Sequence, residues 1–277
     1  MTGDITMAIT LSTYGTAFLR DGYDIASLTL DHSSFHFVNK VNFVIAIKHF
    51  WAESTWHQYA ADPISWLSKL KEEGCLEIRM IFQVDNSESL NGQKIPDYKL
   101  AGFVGGGGRR YLQTVFKGYS ELWQSREEVT DRDSPDQKIW AVSYGRILTK
   151  QKTQAKSSWD IATTKKKLED KLTEMVKFAQ TEKLTFWAEW FSIALEPLHS
   201  NEPFEKGKSS PILPPDKINL TTMQLLAGSQ KAWCFGGMGS WNDIGFKDQD
   251  TDNLYNKLTA ELYEVVNESY LCVANSY

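Results

Sequence analysis

The residues best equipped for chemistry lie in two glycine-rich segments. The first, GFVGGGGRRYLQ, sets Gly105, Gly106, Gly107 and Gly108 directly before Arg109 and Arg110. Glycines expose backbone N–H groups and paired guanidiniums neutralise charge, the two ingredients of a phosphate cradle. A P-loop also needs G-K-[ST] running into a helix, whereas RRYLQTVF has the β-branched and aromatic content of a strand. The spacing predicts a flexible glycine hairpin turn, with Arg109 and Arg110 available to an anion or an acidic patch.

The second segment, CFGGMGSWNDIGF from Cys234 to Phe246, gathers Gly236, Gly237, Gly239, Ser240, Trp241, Asn242 and Asp243. GMGSW misses the nucleophile elbow G-x-S-x-G, because Ser240 follows G-x-G and a helical pattern rather than a strand. Two readings stay open. In one, Phe235 and Trp241 bury their rings while Ser240, Asn242 and Asp243 bond local backbone groups, as Ser and Asx turns do. In the other, the same groups face outward as a binding surface. That surface would recognise a protein with Trp241 or Arg109 as anchor, or serve a small-molecule or hydrolase pocket with His199 or Arg109.

Metal chemistry is not expected. His49, Glu53 and His57 would share one face of a helix, but H-E-x-x-H is absent. Cys75, Cys234 and Cys272 contain no C-x-x-C pair, which gives neither a zinc ribbon nor a disulfide framework. No cofactor motif occurs, and no nucleophile set is supported.

The elements that must position these segments change character along the chain. The first half reads mainly as strands: ASLTLDHSSFHFVNKVNFVIAIKHF, CLEIRMIFQV, consecutive strands on both sides of the four glycines, and KIWAVSYGRIL. DPISWLSKLKEEG is a short helix, with Asp62 as cap, Pro63 in the first turn and Gly74 at the end. REEVTDRDSPDQ reads as a charged loop.

After about residue 157 the apolar period becomes helical. Leu168, Leu172, Met175, Val176 and Ala179 share one face, and Trp187, Trp190, Phe191, Ala194, Leu195 and Leu198 another. NLTTMQLLAGSQKAW forms a third helix capped at Asn219 or Thr221. The last starts at Thr251, with Leu254, Tyr255, Leu258, Leu262, Val265 and Val266 on its apolar face. These patterns predict an α+β fold in one domain, 1–277, whose mainly antiparallel β-rich half (1–156) packs with a helical half (157–277).

With 42% apolar and 23% charged residues the 277-residue chain is globular in composition. The net charge of −5 disfavours nucleic acid. The start has no charged-then-apolar leader and no run reaches the roughly 20 apolar residues of a membrane span, so a cytoplasmic location is expected.

FGGMGSWNDIGF followed by LYNKLTAELYEVVN, together with GFVGGGGRRYLQ and WAVSYGRI, resembles a group of uncharacterised bacterial proteins associated with immunity proteins of polymorphic toxin systems. The likeness is scattered over residues 100–277. It implies a non-enzymatic cytosolic protein that blocks a cognate toxin by binding it, and it carries no catalytic residue.

Overall fold

The computed structural model describes residues 3–47, 55–85, 89–90, 93–152, 160–204 and 212–277. Among the described residues the helices are α1 (Gly3–Asp21), α2 (Pro63–Glu72), the single turn α3 (Asp97–Leu100), α4 (Ile161–Thr181), α5 (Thr185–His199), α6 (Leu220–Ala232) and α7 (Gln249–Asn275). Strands are β1 (Val38–Ile47), β2 (Thr55–Ala60), β3 (Glu77–Gln83), the two-residue pair β4 (Ser89–Leu90) and β5 (Gln93–Lys94), β6 (Arg109–Phe116), β7 (Tyr119–Val129) and β8 (Trp140–Gln151). The protein is α+β, with its sheet in the first half and most helices in the second.

The main sheet runs β2-β1-β8-β7-β6-β3. Every neighbour pair is antiparallel except β1 and β8, which are parallel and so need the long return through β2 to β7.

Local chemistry sets the helix ends. Asp62 Oδ1 accepts from Ser65 N at 2.7 Å and Ser65 Oγ from Asp62 N at 3.2 Å, a reciprocal cap for α2. Asn219 Oδ1 accepts from Thr222 N at 2.9 Å to start α6. The last helix begins earlier than Thr251: Asp248 is its cap, accepting from both Thr251 N (2.9 Å) and Thr251 Oγ1 (2.8 Å). An aspartate outcompetes a threonine here because its carboxylate also favours the helix dipole.

The strand expectations need four corrections. Residues 3–21 are helical, and from Met7 through Ala17 every α1 residue is buried. Between Ile25 and Phe37 the chain is loop with a 3₁₀ turn at Ser33–Phe35, and β1 begins only at Val38. Before the four glycines stands the turn α3 rather than a strand, so the glycines do not form a hairpin. REEV belongs to β7, whose outward side chains tolerate charge.

One continuous set of buried side chains runs from the sheet through α1 into α4, α5, α6 and α7. Its sheet-side centre is aromatic: Phe43 stacks on Trp66 at 4.2 Å and on Tyr144 at 5.2 Å, with Trp123 edge-on to Trp66. Thr10, Thr13 and Thr16 of α1 are buried with their hydroxyls satisfied, as in Thr13 Oγ1 donating to Ile9 O at 2.9 Å.

Two of those helices also finish the free edge of β3. Thr16 Oγ1 on α1 both accepts from Ile78 N and donates to Ile78 O, each at 3.0 Å. Asn275 at the end of α7 does the same for Met80, accepting its N–H and donating to its carbonyl, each at 2.9 Å. The outward backbone groups of two successive edge positions are thereby paired.

Candidate functional site

The two glycine segments meet. A Cβ on Gly102 would stand 2.3 Å from the Gly236 carbonyl carbon and 2.5 Å from Gly237 N, so the backbones touch where only glycine fits. Beyond that contact the two segments behave differently.

Residues 101–108 line a cleft of about 610 Å³ whose other walls come from the start of α1, the 33–38 turn, β6, β7, β8 and Trp233. The loop is held firmly: Gly108 has φ +82° and a Cβ there would lie 2.5 Å from the Phe82 ring, while Tyr263 donates its hydroxyl to Gly107 O.

Arg110 enters this cleft at the head of β6. Its side chain is only 7% exposed, with Nη1 3.3 Å from Asp4 Oδ2 and Nη2 donating to Asn267 Oδ1 at 2.8 Å. The guanidinium lies over the Phe82 ring at 5.0 Å. Its Nε–H is buried without a partner among the described residues. Arg109 points the other way on the strand, half exposed and paired to Asp85 at 3.1 Å.

Glu127 on β7 is half-buried in the same cleft. Burial pushes its carboxyl up to about 7, the charge of Asp4 adds to the rise and Arg110 opposes it. Near neutrality the carboxyl is therefore shared between its protonated and ionised forms.

The 234–246 segment turns its polar groups onto itself. Ser240 Oγ donates to Gly236 O at 3.1 Å and accepts from Asn242 N at 3.3 Å. Asp243 Oδ2 accepts from Gly239 N, and Asn242 Nδ2 donates to Tyr98 O at 2.7 Å. Trp241 is fully buried among Phe178, Trp187, Phe191 and Tyr255, with Nε1 donating to Thr259 Oγ1 at 2.8 Å. Trp241 therefore cannot be a surface anchor.

Gly236, Gly237, Gly239, Ser240, Trp241, Asn242 and Asp243 are not among the cleft's lining residues, whereas Arg109 and Arg110 are. His199 is absent from the lining too, its Nε2 lying 3.3 Å from Glu169 Oε1. Of the histidine–glutamate trio, His49 and Glu53 fall outside the described residues, and His57 Nε2 bonds Thr55 Oγ1 at 2.8 Å.

Sequence reasoning missed Asp4, Glu127, Trp140 and Trp233, which reach the cleft from α1, β7, β8 and the residue after α6 and share no motif. No protein-family model, curated protein or solved structure matches the chain. Among the described residues no helix is long and apolar enough to cross a membrane.

Proposed function

We propose that this chain is a non-enzymatic protein-binding protein that docks its partner on the joined glycine segments. The observation that carries the reading is the apolar tip of that junction. Met238 is 100% exposed, and Phe103 and Val104 are 65% and 68% exposed, beside the Gly102–Gly236 contact. Folding gains nothing from three large apolar side chains in water, whereas a partner surface would.

Phe103 directly follows Gly102 and Met238 directly follows Gly237, so backbone contact brings the tips together with only one residue of reach on each side. Arg109 supplies a half-exposed charge near the same rim. The resemblance to immunity proteins extends this to a cytoplasmic factor that covers a toxin's working surface.

The test is co-expression with the product of the neighbouring reading frame. Protection of growth and a co-purifying complex are expected. Phe103→Asp and Met238→Asp each weaken that complex about thirtyfold, the scale of an interface hot spot. Both variants keep stability within about 0.5 kcal/mol of the parent, as surface changes do. A complex indifferent to both substitutions overturns the assignment of the surface; a neighbour that is neither toxic nor bound overturns the immunity reading.

A further inference from the structure

Away from the loop tips, α5 carries a second apolar surface. Ala188, Phe191, Ala194 and Leu198 bury one side of the helix, where Trp187 and Phe191 pack on Trp241 and Leu198 lies against Gly228 of α6. The opposite side faces solvent, yet it is apolar too. Phe186 is 62% exposed, Trp190 37% and Ile193 40%. The Phe186 and Trp190 rings stand 6.0 Å apart and Ile193 is one turn further on, so the stripe is continuous. Water is a poor neighbour for such a stripe, and a second surface is the usual reason for one.

The spacing says what kind of surface would cover it. Steps of four and then three residues, Phe186 to Trp190 to Ile193, follow the 3.5-residue period of one helix laid along another. An extended peptide repeats every two residues and matches no such period. With Phe186 and Ile193 as d positions and Trp190 as a, Glu189 and Glu196 fall at g and border the seam on one side. Both are exposed, and neither makes an ion pair among the described residues. From Thr185 to His199 the helix has no lysine or arginine, and His199 lies against Glu169 of α4. The seam is therefore edged by uncompensated negative charge.

We propose that this seam docks an amphipathic helix of a partner, its apolar stripe on Phe186, Trp190 and Ile193 and its lysines or arginines opposite Glu189 and Glu196. Aromatic side chains are the common anchors of such contacts, and flanking charges set which helix is accepted. A second copy of this chain is the wrong occupant. Antiparallel, it would set Glu189 and Glu196 against their own counterparts, and like charges repel. Parallel, it would set Glu189 against Ala194, which is buried in its own subunit and offers no charge. The seam lies on a different element from Phe103, Val104 and Met238, and its assignment does not rest on theirs.

The test is fluorescence anisotropy of the full chain with labelled three-heptad peptides, at about 0.15 M salt so that long-range attraction to the acidic chain is screened. One peptide has leucine at a and d with lysine at e and g. A second replaces the lysines by glutamate, and a third scrambles the first without changing its charge. The lysine peptide is expected to saturate below about 100 µM, with the other two at least about tenfold weaker. Ile193→Asp weakens the lysine peptide at least about tenfold. Glu189→Lys combined with Glu196→Lys transfers the preference to the glutamate peptide. That reversal touches two exposed, unpaired side chains, so it decides the matter even where Ile193→Asp does not fold.

Equal binding of the lysine and scrambled peptides, an unchanged preference after charge reversal, or no saturation overturns the assignment. So does a dimer of the full chain in sedimentation velocity that Ile193→Asp dissolves, because a second copy would then hold the seam. Phe103→Asp and Met238→Asp are expected to leave peptide binding unchanged; its loss in either would put the peptide on the loop tips instead. The peptides require no natural partner, so failure here and failure of the loop-tip docking are separately visible.

Discussion

Residues 102–108 and 235–245 are both rich in glycine and both border one backbone contact, yet they use their glycines for different ends. In the first, steric need dominates: Gly107 and Gly108 have positive φ, and added Cβ atoms would strike Ala101 and the Phe82 ring. In the second, Gly237 and Gly245 have open space around them, and the work of shaping the turn falls to Ser240, Asn242, Asp243 and the buried Trp241. The comparison teaches that glycine density does not mark a site by itself. The loop with fewer polar side chains of its own borders the cleft, and the loop with more has directed them to its own backbone and to Tyr98 O.

The contrast can be broken most forcefully at Trp241. Trp241→Ala removes a fully buried indole and its bond to Thr259, and should cost about 3–5 kcal/mol in urea unfolding. A loss below 1 kcal/mol, well under that range, would mean that the second loop is not pinned by this ring. Next in size, Gly108→Ala forces a Cβ into Phe82 at positive φ and is expected to cost about 1–3 kcal/mol.

Ser240→Ala comes third, at about 1 kcal/mol, because it deletes the cap of a single 3₁₀ turn and one bond to Gly236 O. Partner association should be unchanged, since Ser240 bonds inside its loop; a selective loss of binding would return Ser240 to the surface. Smallest is Gly237→Ala, with no contact within 4 Å and no positive φ, expected to lie within about 0.5 kcal/mol of the parent. Equal costs at Gly108 and Gly237 would erase the contrast between the loops.

Much of the fold was legible because its signals are local. The α2 cap at Asp62, the α6 cap at Asn219 and the apolar stripes of α4 and α7 are each written within a few residues. Helix α1 was not, because it is buried all round by both sheet and helices. A helix enclosed on every side shows no polar face, and its threonines imitate strand composition.

The cleft was half legible. Arg109 and Arg110 stood out beside the glycines, but Asp4, Glu127 and Trp233 come from positions far apart in sequence and are joined only by the sheet and α1. Burial of Trp241 was anticipated as one of two readings, and its ring packing against α4, α5 and α7 decides between them.

The paired edge of β3 has a kinetic side. Met80 waits for Asn275, 195 residues later in the chain, to cover its outward N–H and carbonyl. While the chain is being synthesised β3 can pair with β6 and still offer an open edge, a ready template for a neighbouring nascent chain. The side-chain amide that closes it copies a peptide group in shape and in bonding, so α7 ends by acting as a one-residue strand. Aggregation during expression, more than the final stability, is where a change at Asn275 would be felt.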